Sequence, residues 1–195
     1  MIPKITNIIR FIRETIKHPQ QNGAIAPSSK KLATLITEKA ELDNAKVIVE
    51  IGSGDGVFTK EIFKKINNKV PYFAIEINKF FVDQFKKTYP NLTIYHDTAQ
   101  NIDKCLVKSG HTKCNRVISG LPWTAFDEKM QKDIITKIYD SLEVGGIFVT
   151  FSYYPLNNLP DGKAFHKTLN SLFKSVNKSE VVLNFPPAFV YICRK

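Results

Sequence analysis

Apolar residues near the start of the chain fall three and four apart, at Ile5, Ile8, Ile9, Ile12 and Ile16, with Lys4, Arg10, Arg13 and Lys17 between them. That spacing predicts a basic amphipathic helix within residues 1–22, broken by His18, Pro19 and Gly23. Such a helix either caps a core or lies in a membrane interface with its cations toward anionic head groups. Ser28 or Ser29 then offers a side-chain oxygen to free amides, predicting a second helix from Lys30 to Lys39. Beyond it the period changes. Short β-branched and aromatic runs near 46–51, 71–77, 91–96, 116–121 and 146–152 alternate with lysine-studded helical stretches. That repetition predicts a doubly wound α/β sheet of Rossmann-like type. A helix near Gly162–Phe173 is followed by Val181-Val182-Leu183 and Ala188-Phe189-Val190-Tyr191-Ile192. These two runs lie too close for a crossover helix and predict a terminal antiparallel pair, making seven strands. Residues 23–195 read as one domain behind the N-terminal helix.

Composition narrows the setting. A length of 195 residues with 43% hydrophobic content suits one domain with a substantial core. The net charge of +10 favours an acidic partner surface, nucleic acid or anionic membrane, without choosing between them. Cys105, Cys114 and Cys193 are odd in number and lack metal-like or redox-like spacing, which predicts a reducing cytoplasm. No uninterrupted membrane-spanning run or cleavage-site pattern stands in the sequence, so any membrane contact is expected to be peripheral.

Chemistry enters at Val47-Ile48-Val49-Glu50-Ile51-Gly52-Ser53-Gly54-Asp55-Gly56, where an apolar run opens onto alternating glycines. The spacing is G-x-G-x-G, and Val57 stands where a dinucleotide fingerprint wants its third glycine. This favours S-adenosylmethionine, which has no pyrophosphate to cradle, with Glu50 suited to its cationic end. Gly52, Ser53, Gly54 and Gly56 are the expected loop contacts. Glu76, with Ile77 beside it, ends the second strand where a carboxylate meets ribose hydroxyls. Asp97, followed by Thr98 and Ala99, ends the third, where an acid would accept from the adenine amino group. Three strands thus aim acids at one edge. The bland alternatives are an ordinary strand-to-helix turn and solvated acids.

Val117-Ile118-Ser119-Gly120-Leu121-Pro122-Trp123 ends the fourth strand where a methyl acceptor would sit. Trp123, Tyr153, Tyr154 and Phe189 are candidates to surround an amine that gains methyl groups, since aromatic faces attract a quaternary ammonium. Each is alternatively a core residue. Ser119, Tyr153 and Trp123 are the candidate catalytic set, Ser119 being expected to touch the cofactor as well, and no metal is expected. His18, His96, His111 and His166 are scattered and predict no general base.

Gly23-Ala24-Ile25-Ala26-Pro27-Ser28-Ser29, Ser119-Gly120-Leu121-Pro122, Phe151-Ser152-Tyr153 and Asn184-Phe185-Pro186-Pro187-Ala188 resemble motifs of bacterial phospholipid N-methyltransferases, over essentially the whole chain. The resemblance implies a peripheral enzyme on the inner face of the cell membrane, anchored to anionic lipid by its N-terminal helix. It would methylate phosphatidylethanolamine with S-adenosylmethionine, towards phosphatidylcholine. Tyr154 departs from this pattern at a position expected to be small. The phospholipid enzymes are themselves similar to ribosomal RNA adenine dimethyltransferases. In those, a motif resembling N-[LI]-P-[YF] holds the base amine by an amide, whereas here Gly120 replaces the asparagine. A nucleic-acid partner is therefore disfavoured, with RNA adenine methylation or a noncatalytic cofactor-binding or membrane-binding module as the rival readings.

Overall fold

A computed structural model describes residues 28–66 and 70–195; the amphipathic segment expected over 1–22 lies outside them. Helix α1, Lys30–Lys39, starts where Ser29 Oγ accepts from the Leu32 amide at 3.1 Å. The strands that follow are β1 Ile48–Ile51, β2 Tyr72–Glu76, β3 Thr93–His96, β4 Cys114–Ser119 and β5 Leu142–Tyr153. All five run parallel. Between and after them come α2 Val57–Phe63, α3 Lys79–Thr88, α4 Ile102–Lys108, α5 Glu128–Ser141 and α6 Pro160–Leu172. The chain closes with β6 Ser175–Lys178 and β7 Ala188–Arg194, and the sheet order is β3-β2-β1-β4-β5-β7-β6.

The near-continuous apolar character of β1 and β4 follows from burial on both faces, as parallel sheets require. On one face α1 and α2 set Leu32, Ile36, Phe58 and Ile62 against Ile48, Ile118 and Val149, and α3 extends the layer through Val82 and Phe85. The opposite face is covered by α4, α5 and α6, with Leu106, Ile135, Ile138 and Phe165 against Val49, Val117 and Phe148. Each such side chain contributes roughly 1.5–3 kcal/mol.

The terminal pair differs from expectation. β7 is antiparallel to β5 and β6, but its edge partner is Ser175–Lys178 rather than the expected Val181–Leu183, of which Val182 makes only an isolated bridge to Ala188. An edge strand is held by main-chain bonds along one side and needs little apolar content. The polar run Ser175-Val176-Asn177-Lys178 therefore pairs, and the more apolar run is left beyond it. Because β7 is antiparallel, Ala188 begins at the edge where Ile51, Glu76, His96, Ser119 and Tyr153 end the parallel strands. That carboxyl edge is where open α/β sheets bind ligands.

Candidate cofactor and acceptor site

The loop after β1 is held by main-chain bonds to both neighbours. Gly52 N–H donates to Ile75 O at 2.8 Å, and Gly120 N–H donates to Ile51 O at 2.8 Å. Gly52 has φ +70°, and a Cβ there would meet Leu121 Cδ2 at 2.9 Å. Gly54 has φ +50° with nothing within 4 Å of an added Cβ. Both need the left-handed region that glycine occupies freely, and Gly54 presents bare backbone toward open space.

Glu76 is buried, and its two oxygens are shared between the loop and α3: Oε2 accepts from Gly54 N–H at 3.0 Å and Oε1 from Asn78 N–H at 2.8 Å. Burial raises its pKa, opposed by those amides. Each carboxylate oxygen keeps capacity for a further donor. Ile77 beside it is 66% exposed. Asp97 accepts on Oδ1 from Asn101 Nδ2 at 2.7 Å and from Thr98 N–H at 2.8 Å. The Asn101 bond leads in holding this carboxyl below its ordinary value, so it stays ionised. Thr98 Oγ1 accepts from Gln100 N–H at 3.1 Å, and Ala99 is buried behind it. Glu76, Ile77, Asp97, Thr98 and the glycine loop thus lie along one edge, tied by the Asp97 N–H bond to Glu76 O at 3.2 Å.

Glu50 sits elsewhere than expected. It is fully buried behind the loop, its Oε2 accepting from Thr59 Oγ1 at 2.8 Å and from the Tyr72 hydroxyl at 2.5 Å. Burial pushes its pKa up to about 7, although both hydroxyls oppose the rise. The two donors fix one oxygen of the carboxyl within the fold. Oε1, and Ser53 Oγ in the loop itself, are buried without a hydrogen-bond partner. Tyr72 and Thr59 were missed by sequence reasoning. The signal available was a hydroxyl nine residues after Glu50 and a tyrosine opening an otherwise apolar strand.

The acceptor side also departs from expectation. Trp123 is buried, stacked on Phe165 with centroids 4.6 Å apart, and its Nε1–H donates to Thr150 Oγ1 at 2.6 Å. Its polar handle and its face are both engaged in the core. Phe189 is buried in the same layer, edge-on to Tyr191. Tyr153 lies on the other face of the sheet, packed with Phe151 over α1. The reason is parity: Thr150 pairs with Ser119, so Tyr153, three residues on, points to the opposite side. Ser119 and Tyr153 thus share an edge but not a face. Ser119 Oγ accepts from Leu121 N–H at 3.2 Å and shapes the turn. Tyr153, which burial pushes up to about 12, is a neutral phenol at ordinary pH.

A Cβ added at Gly120 would meet Gly52 O at 2.5 Å. The turn after β4 is therefore packed directly on the glycine loop after β1, backbone to backbone. Among the described residues no group of acids, histidines and cysteines could hold a metal, and no helix is long and apolar enough to cross a membrane.

Residues 28–124 match the ribosomal RNA adenine dimethylase family, a stretch from α1 to the turn after β4. An ornithine lipid N-methyltransferase from Singulisphaera acidiphila is 24% identical over 187 residues, 94% of each chain. A probable ribosomal RNA small subunit methyltransferase A from Methanococcus aeolicus is 23% identical over 182 residues, 90% of this chain but 59% of the relative. The crystal structure of an O-methyltransferase from Bacillus cereus in complex with SAH superposes with a TM-score of 0.69 at 10% identity, covering 100% of this chain and 93% of that one. The open glycine backbone, the buried orphan hydroxyl of Ser53 and the spare acceptor capacity of Glu76 and Asp97 fit a ligand carrying ribose hydroxyls and an exocyclic amine. The chain has the Rossmann-like fold of S-adenosyl-L-methionine-dependent methyltransferases, and that molecule is the cofactor.

Proposed function

We propose that this chain methylates the amine of a membrane lipid head group, phosphatidylethanolamine and its methylated intermediates, towards phosphatidylcholine, working from the cytoplasm at an anionic membrane surface. The observation that carries the reading is the contact at Gly120. With Gly52 O only 2.5 Å from where a Cβ would stand, this backbone has no room for the side-chain amide that would hold a nucleobase amine. The lipid-methylating relative supports the same reading because it matches across 94% of each chain. The RNA reading draws on the family match, which ends at residue 124 and takes in the turn after β4, and on the ribosomal RNA methyltransferase relative, only 59% of which this chain spans.

In this reading Glu76 takes the ribose hydroxyls, Asp97 the adenine amino group with Ile77 as its apolar cover, and Gly52, Ser53, Gly54 and Gly56 line the main-chain path. When bound, S-adenosylmethionine supplies an electrophilic methyl group. The head-group amine arrives as an ammonium and loses its proton to water. Tyr153, held neutral, orients the nitrogen through its hydroxyl and does not serve as the base. Ser119 acts through the turn, positioning Gly120 and Leu121 against the loop. Positioning of this kind can supply much of the acceleration of a displacement reaction.

The test is transfer of radiolabelled methyl groups in parallel incubations with phosphatidylethanolamine vesicles, ornithine lipid vesicles and small ribosomal subunits. Label in extracted phosphatidylethanolamine is the expected result. Label confined to ornithine lipid would change the head group, and label confined to RNA would overturn the proposal.

A further inference from the structure

Between β6 and β7, solvent exposure alternates along the chain. Val181, Leu183, Phe185 and Pro187 are exposed, while Val182, Asn184 and Pro186 are partly buried. The outward row of a solvated connection is ordinarily polar. Here it is wholly apolar, with Leu183 70% and Phe185 71% exposed. The inward row does the packing. Val182 joins the core layer under α1, and Asn184 Oδ1 accepts from Ser29 N–H at 2.8 Å while its Nδ2 donates to Pro186 O at 2.8 Å. Ser29 Oγ donates to Leu183 O at 2.7 Å, and Tyr154 N–H donates to Pro187 O at 2.7 Å. Tyr154, itself 49% exposed, continues the row toward the end of β5. The fold thus fixes the backbone of this segment and leaves its apolar side chains outside, at the edge where the acceptor would arrive.

The surroundings say what covers them. Lys30 and Lys31 are exposed on the first turn of α1, directly after Ser29. The sequence before Ser28 interleaves isoleucines with Lys4, Arg10, Arg13 and Lys17, and the whole chain carries a net charge of +10. An apolar row bordered by lysines complements a surface that is apolar below and anionic above. A handful of side chains is far short of the roughly 20–30 residues a side of a stable protein interface.

We infer that Val181, Leu183, Phe185, Pro187 and Tyr154 dock into the interfacial layer of an anionic bilayer, holding the acceptor edge against the surface that supplies the lipid amine. The orientation rests on the lipid-acceptor reading above; the test of docking does not use the reaction. Phe185→Trp places an indole at the tip, and the chain's single native tryptophan, Trp123, is buried and gives a constant background. Vesicles of phosphatidylethanolamine and phosphatidylglycerol should shift the new emission to the blue, and acyl-chain bromination should quench it. In flotation, Leu183→Asp with Phe185→Asp should lower vesicle affinity by roughly tenfold or more, with melting temperature, cofactor affinity and methylation of detergent-dispersed lipid unchanged. An unquenched indole on vesicles that still bind the protein would overturn the inference. So would emission already blue-shifted without vesicles, whether from the chain's own N-terminal segment or, if concentration-dependent, from a second copy. Quenching without lipid methylation would uphold docking and sink the substrate; methylation in detergent without quenching would do the reverse.

Discussion

At the ends of β1, β2 and β3 the polar groups facing the ligand edge are main-chain amides and short acids, and each acid is oriented by an N–H from the next loop: Gly54 and Asn78 on Glu76, Thr98 on Asp97. At the ends of β4, β5 and β7 the groups are side chains locked by packing, such as Trp123 between Phe165 and Thr150, and Tyr153 against Phe151. The first region is specified by loop geometry, which tolerates little beyond glycine and a few capping residues. The second is specified by volume and parity, so its aromatics are free to serve the core while still lying near an edge. The edge expected to hold cofactor and the edge expected to hold acceptor are therefore specified by two different kinds of constraint within one sheet.

The largest effect that would sharpen this contrast lies behind the loop. Glu50 has a folded pKa of about 7 against an ordinary 4.5, so the folded state favours the protonated acid. Its contribution is complete below about 4.5 and is lost as the pH rises through 7. Relative to Glu50→Gln, which is neutral throughout, the wild type should lose about 3 kcal/mol of stability across that window. Chemical denaturation of both proteins at stepped pH checks it, and parallel pH profiles would mean that the carboxyl is solvated. Next is Gly120→Asn, which forces a side chain against Gly52 O. It should cost about 2–3 kcal/mol by overpacking and weaken S-adenosylmethionine binding with it, because the two turns move together. Thermal melts and calorimetric titration report the two losses, and an unperturbed variant would show that the acceptor turn can accommodate the amide after all. The smallest effect belongs to Trp123→Phe, which removes the bond to Thr150 Oγ1 and should cost about 1 kcal/mol. Its signature is a lower melting temperature with unchanged ratios of mono-, di- and trimethylated product. Altered ratios would return Trp123 to the acceptor pocket and break the comparison.

The unequal legibility of the site has the same origin. The placing of Gly52, Gly54, Glu76 and Asp97 along one edge was readable because strand ends followed by glycine or acid define backbone geometry locally, and a parallel sheet collects those ends at one edge. Glu50 was readable as an acid beside the loop but not as a buried one. Its direction depends on Tyr72, which is distant in sequence and reaches it only across the β1–β2 pairing. The burial of Phe189 and Trp123 was not legible for a related reason: Phe189 takes the side that the β5–β7 register assigns, and Trp123, in the turn after β4, is drawn into the core by Phe165 and Thr150. The seven strands, their order of alternation and the Ser29 cap followed from period and local chemistry, whereas the identity of β6 did not. Ser175–Lys178 is chosen by main-chain pairing, to which hydrophobic pattern is blind.

The 2.5 Å approach between Gly52 O and the place of a side chain at 120 also bears on how such a chain can change over time. A single substitution at Gly120 forces the turn away from the neighbouring loop before any new contact to an acceptor is made. A larger residue at position 120 would thus need one turn to shift relative to the other, so the two turns are bound to change together rather than separately.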